Sequence, residues 1–257
     1  MKTAIITGAY GAIGSEIAKG LVGANYRLML IGRNVVKLKE LQHEFESSYG
    51  SGLVEYRAVD MSLKDEVYGL ADEIAGPLDV LVNNAATAPR LRLETRDGIE
   101  MQWATNVLSY FWMTLAFEKH LMKSADGRIV NVASYWAGGL DLEDPEFKHR
   151  SYNNDQAYRQ SKQANRMMTY GFAALYQHDI SVNSCHPGDA NSKLSNDLGF
   201  GGSMTAEQAA RTPVHLATSA DVNGITGGYF AHSQATDCAF AADKQAIKKL
   251  MAVCAGY

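Results

Sequence analysis

The chain has 257 residues, 46% of them apolar, and its 24 basic and 28 acidic side chains give a formal net charge of -4. That balance offers no field for attracting DNA or RNA, while the length and apolar content suit one α/β core, read as a single domain over residues 1–257. Cys185, Cys238 and Cys254 are odd in number and far apart with no CxxC pair, no apolar run reaches membrane-spanning length, and the N-terminus runs straight into a strand; disulfides, structural zinc, a signal peptide and a membrane span are therefore not expected, and a cytoplasmic protein is.

Thr3–Thr7 reads as a buried strand, followed by Gly8-Ala9-Tyr10-Gly11-Ala12-Ile13-Gly14 and an amphipathic helix to about Val22. Strand, glycine turn and helix in that order form a dinucleotide fingerprint: glycine lets the backbone approach a pyrophosphate, and the helix start presents free N–H groups to it. Tyr26–Ile31 is a second strand, ending in Gly32-Arg33-Asn34. An NAD-binding chain usually places a carboxylate there for the ribose 2′-hydroxyl; Arg33 instead suits a 2′-phosphate and favours NADP(H) over NAD(H). A helix over Asn34–Ser48, a strand over Leu53–Ala58, a helix to about Ala75 and a strand over Leu78–Val82 continue the alternation. This pattern implies a parallel sheet with helices on both faces and ligands at the C-terminal strand ends, where Asp60 and Asn83 fall. Each is equally readable as lining an adenosine pocket or as a cap or turn residue.

A long helix is expected over Gly98–Lys123, with Asn106 among Trp103, Val107, Tyr110, Phe111 and Trp112, a setting in which its amide needs a use. Arg128–Ala133 is a fifth strand with Ser134 at its end. The acidic segment Gly139–Asn154 reads as a solvated loop and not a metal site, because Asp141, Glu143 and Asp144 lack a histidine at ligand spacing. The next helix, to about Gln177, carries Tyr158 and Lys162 four residues apart on one face, so that a phenol and an ammonium share one space. A fixed cation stabilises the phenolate and makes Tyr158 a candidate general acid and base. Tyr135 and Tyr152 have no lysine four residues on. Ile180–Cys185 is a sixth strand, closed by His186-Pro187-Gly188; Asp189–Ser203 suits a mobile flap; Thr205–Gln208 has capping-box spacing before a helix to about Thr218; Ile225–Phe230 is a seventh strand.

The glycine turn after Thr7, Asn83-Asn84-Ala85, Asn106, Ser134, Tyr158 with Lys162, and Pro187-Gly188 occur in the order found in the short-chain dehydrogenase/reductase family, and the chain resembles its classical type over nearly its whole length. Thr95-Arg96-Asp97-Gly98 through Asn106, Ala157-Tyr158 through Asn165, and Val182 through Gly188 look most like the retinol-dehydrogenase branch. The resemblance implies a single-domain Rossmann-type doubly wound sheet of about seven strands. It also implies NADP(H)-dependent hydride transfer between the cofactor and a carbonyl or alcohol of a partly hydrophobic small molecule. Carried over by position, Ser134 bonds the substrate carbonyl, Tyr158 donates its proton, Lys162 lowers the tyrosine pKa and holds the nicotinamide ribose, and Asn106 positions a water that links Lys162 to solvent. Gly8, Tyr10, Gly11, Ile13, Gly14, Arg33, Asp60, Met61, Asn83, Ala85, Pro187 and Gly188, with Tyr158 and Lys162, would hold the cofactor.

Two features depart from the family. Gly11 and Gly14 give a three-by-three glycine spacing with Ala12 where the classical turn has glycine, and this spacing also occurs in the extended branch of epimerases and dehydratases. The N-terminal membrane anchor frequent among retinol-type enzymes is absent, which argues against a membrane-dissolved retinoid as substrate. Two other functions stay open, a non-catalytic NADP(H)-binding sensor and an epimerase-like enzyme that retains its nicotinamide. Family members often pair through the helices bearing Asn106 and Tyr158, so a homodimer or homotetramer is also open.

Overall fold

In β1 (Thr3–Thr7), Ala4 and Ile6 enter one apolar layer and Ile5 the other, as befits a central strand buried on both faces. This computed structural model describes residues 1–177 and 179–257. α1 (Ala12–Gly23) is followed by β2 (Arg27–Gly32), α2 (Val35–Tyr49), β3 (Val54–Ala58), α3 (Lys64–Glu73) and β4 (Val80–Asn83). A π-helical segment, Trp103–Leu108, runs into α4 (Ser109–Leu121), and β5 (Gly127–Val132), α5 (Asn154–Tyr176) and β6 (Ile180–His186) come next. The chain ends with α6 (Lys193–Asp197), α7 (Ala206–Thr218), β7 (Tyr229–Ala231), β8 (Gln234–Ala235) and α8 (Lys244–Ala255).

The strands form one sheet in the order β3-β2-β1-β4-β5-β6-β7-β8, parallel except for the β7–β8 pair. Chain direction across the sheet reverses between β1 and β4, and a doubly wound sheet opens its ligand crevice at such a point. α1, α2 and α7 cover one face through Ile17, Leu21, Leu38, Phe45 and Leu216. α3, α4, α5 and α8 cover the other through Val67, Leu70, Phe117, Phe172 and Leu250.

The expected architecture is present, with differences at its margins. The sheet has eight strands where seven are expected, because a two-residue antiparallel edge strand follows β7. Asn106 sits on the π-helical turn, so the helix expected over Gly98–Lys123 changes its hydrogen-bond pitch at that residue. The Gly139–Asn154 segment is irregular, as expected, but two of its carboxylates are buried. Asp144 accepts the Lys148 and His149 N–H groups, and Glu146 accepts the Glu100 N–H, the Lys148 ammonium and the Tyr257 hydroxyl. Those charges pin the loop instead of solvating it.

Candidate active site

The glycine turn is held by close approach. Gly8 has φ +65°, and a Cβ there would lie 2.8 Å from the Ala85 Cα; a Cβ at Gly14 would lie 2.3 Å from the Gly8 carbonyl oxygen. Asn84 fixes the turn by donating Nδ2 to the carbonyls of Thr7 (2.9 Å) and Gly8 (3.3 Å), while the Thr7 hydroxyl accepts the N–H groups of Asn84 and Ala85. Gly11 is the N-cap of α1, with no side-chain cap and no acidic residue in the first turn. The N–H groups of Ala12, Ile13 and Gly14 therefore face out with a positive dipole end behind them, and they fit a pyrophosphate. Ala12 is the first helical residue and is exposed, so its methyl replaces glycine without a clash.

At the end of β2 the Tyr10 ring lies over Gly32, where a Cβ would be 2.4 Å from Cε1. The Lys37 ammonium stands 5.6 Å over that ring, and exposed Arg33 reaches Asp60 Oδ2 at 3.7 Å. Asp60 also accepts the Ser62 N–H and hydroxyl, so it acts as a turn residue and as counter-ion to Arg33. Met61, next to Asp60, is buried, and Ala85 is buried against Gly8 at the end of β4. Asn83 differs from its expected place along an adenosine pocket. Its side chain is fully buried and donates to Asn131 Oδ1 at 2.9 Å across the β4–β5 pair, so only its backbone can face a ligand.

Ser134, Tyr158 and Lys162 meet beyond the ends of β5 and β6, all buried. Lys162 Nζ donates to the Val132 carbonyl at 2.9 Å and lies 5.6 Å from the Tyr158 ring centroid. The same carbonyl accepts the Tyr110 hydroxyl at 3.2 Å, and the Tyr110 ring is 5.5 Å from Nζ. Burial pushes the Lys162 ammonium down to about 7. Burial also raises the Tyr158 phenol, the Ser134 hydroxyl draws it back down and the Asp189 carboxylate raises it further. Burial thus leaves the phenol high. Asn106 clamps the loop after β4, its Oδ1 accepting the Thr87 N–H at 2.8 Å and its Nδ2 donating to the Thr87 carbonyl at 2.9 Å. Its backbone carbonyl accepts Asn165 Nδ2 at 2.7 Å. Gly188 has φ +118°, with Met204 lying where a Cβ would project. Tyr152 is tied to Gln102, Glu100 and Pro89, away from Ser134.

Residues 2–199 match the family model described as short chain dehydrogenase. The chain belongs to that family. A Streptomyces antibioticus protein named "Probable oxidoreductase" is 32% identical, with 91% of this chain and 85% of that protein covered. Human retinol dehydrogenase 13 is 29% identical over 89% of this chain and 76% of its own, in keeping with a retinol-dehydrogenase-like branch. Among solved structures, an uncharacterised protein from Mycobacterium paratuberculosis superposes with a TM-score of 0.83 at 26% identity, covering 100% of this chain and 92% of that one. This short-chain dehydrogenase is accordingly a nicotinamide-dependent oxidoreductase. Among the described residues, no helix is long and apolar enough to cross a membrane.

Sequence reasoning did not assign Lys37, Asn84, Tyr110, Asn165 or Asp189 to the site. Lys37 carried a usable signal, being one helical turn beyond Arg33. Asn84 and Asn165 act through backbone groups of other elements, which no local pattern displays.

Proposed function

We propose that this short-chain dehydrogenase transfers hydride between NADP(H) and a carbonyl or alcohol on a partly hydrophobic small molecule, with Tyr158 as general acid and base. The observation that carries this reading is the meeting of the Tyr158 phenol, the Ser134 hydroxyl and the Lys162 ammonium in one buried space beside the crevice. The α1 start and its glycines would hold the pyrophosphate, Arg33 and Lys37 the 2′-phosphate, and Asp60, Met61 and the backbone of Asn83 and Ala85 the adenosine. Pro187, Gly188 and Lys162 would flank the nicotinamide ribose. When bound, the nicotinamide supplies or takes the hydride and, when oxidised, adds a positive charge beside the phenol.

Ser134 donates to the substrate oxygen, stabilising the alkoxide as it forms, and Tyr158 delivers the proton. Lys162, whose ammonium burial lowers to about 7, gives and regains a proton easily and so refills the phenol. Asn106 has spent its side chain on Thr87, so a water linking Lys162 to solvent would rest on its backbone carbonyl, which keeps a second lone pair beside Asn165. Replacing Tyr158 with Phe should lower NADPH-dependent reduction of a panel of aldehydes and ketones by about 10²–10⁴-fold. NADPH affinity, followed by fluorescence, should hold. Full turnover in that variant would overturn the assignment.

A further inference from the structure

The loop that leaves Ser134 presents two large rings to solvent, Tyr135 at 53% and Trp136 at 41% exposure. Their centroids lie 6.2 Å apart with planes at 78°, so they stand as two walls of a corner. The polar tip of each ring is anchored on a carboxylate: the Tyr135 hydroxyl donates to Asp189 Oδ2 at 3.4 Å and Trp136 Nε1 donates to Asp155 Oδ1 at 2.6 Å. His186 backs the Tyr135 ring edge-on at 4.6 Å; it is buried, and its Nδ1 has no partner among the described residues.

Charge decides what the corner suits. The Arg159 guanidinium lies 5.2 Å over the Trp136 ring, four residues on from Asp155 in α5, the residue that anchors that ring. Asp189 has no such cation: among the described residues its one ionisable pairing is with His186 Nε2 at 4.0 Å, and burial holds that imidazole down to about 4, neutral at physiological pH. The Asp189 side chain is still 39% exposed, and it follows Gly188 directly, beside the phenol whose proton its charge holds in place. An apolar substrate seated here would strip water from a carboxylate that faces no cation within ion-pair distance among the described residues, and an anionic one would meet a like charge. A cation would gain from the carboxylate, from the Tyr135 ring and from the Trp136 face that Arg159 does not cover.

We propose that Tyr135, Trp136 and Asp189 form a cation subsite beside the reacting carbonyl, and that the preferred substrates are aldehydes or ketones carrying an amine, protonated or quaternary. This deepens the reductase reading and rests on it. The test uses three benzaldehydes, para-substituted with trimethylammonium, tert-butyl or carboxylate; the first two share a shape and differ in charge. The wild-type enzyme with NADPH should prefer the trimethylammonium aldehyde over its tert-butyl isostere by about tenfold in kcat/KM, with the carboxylate last. In Asp189→Asn that ratio should collapse toward one. Equal efficiencies in the wild type, or an unchanged ratio in the variant, overturn the subsite. Binding of the same compounds to the Tyr158→Phe enzyme with NADPH, followed by tryptophan fluorescence, separates the two claims. A binding order that favours the cation without reduction of any aldehyde by the wild type sinks the reductase reading and upholds the subsite. Reduction of all three alike, or no binding of any, sinks the subsite.

Discussion

Three side chains near the crevice, Arg33, Lys37 and His186, carry consequences that can be measured. Arg33 and Lys37 converge on the corner where Tyr10 covers Gly32, and their shared charge is what would distinguish a 2′-phosphate from a hydroxyl. Replacing both with Ala should raise the KM for NADPH by about ten- to hundredfold, the scale of one or two lost charge-assisted bonds, and leave that for NADH nearly unmoved. An equal loss with both cofactors would show that the pair does not read the phosphate. His186 gives a pH signature. Burial lowers its folded pKa to about 4 against 6.5 in the free residue, so between those values the unfolded chain binds a proton that the folded chain refuses. Stability from the neutral imidazole is present above pH 6.5 and is lost as pH falls toward 4, with a slope of roughly 1.4 kcal/mol per pH unit. Urea unfolding from pH 7 to 4 should show that slope in the wild type and a shallower one in His186→Gln, a difference that cancels the titrating carboxylates. Parallel curves for the two proteins would place His186 outside this account.

At the scale of elements, legibility follows length and periodicity. β1, the glycine turn and α1 were readable because a strand buried on both faces is continuously apolar and the helix after it buries Ile17, Leu21 and Val22 on one stripe. Tyr158 and Lys162 were readable because helical spacing alone sets them on one face. The π-helical turn at Trp103–Leu108 was not, since its apolar residues continue through the change of pitch; Asn106, on that turn, clamps Thr87. α6 and β8 are five and two residues long, below the reach of any periodic signal. Within the expected flap Asp189–Ser203, α6 starts at a Ser192–Ser195 capping box, and the flap's base is stitched by Asn191 N–H to the Met204 carbonyl and Met204 N–H to the Asp189 carbonyl. That stitching holds Asp189 at the site. α8 did carry a signal, an Asp243 cap with Ile247, Leu250, Met251 and Cys254 at helical spacing, which an expectation ending at Phe230 leaves unused. Asn83 marks the limit of such reading: a strand-end asparagine looks the same whether its amide faces a ligand or, as here, Asn131.

For the whole molecule, α8 bears on how copies of the chain meet. It lies against α5, seating Ile247, Leu250 and Cys254 in the apolar layer that holds Met167, Met168, Phe172 and Tyr176. Met251 sits so close to Gly171 that a Cβ there would be 2.7 Å from its sulfur. The middle of α8 and the residues after it are tied elsewhere: Lys249 pairs with Glu143 of the acidic loop, the Tyr257 hydroxyl donates to Glu146 and Lys64 Nζ donates to the Tyr257 carbonyl. A second copy pairing through α5 would have to dislodge a helix that is already packed and anchored. Sedimentation velocity should therefore find a single species at the 28.0 kDa of one chain, and a species of twice that mass would show that pairing uses a face α8 leaves open. Leu250→Asp, by setting a charge in that layer, should cost about 2–5 kcal/mol in urea unfolding and uncover the apolar face of α5. If α8 stands in for a partner subunit, self-association should appear in that variant and not in the wild type.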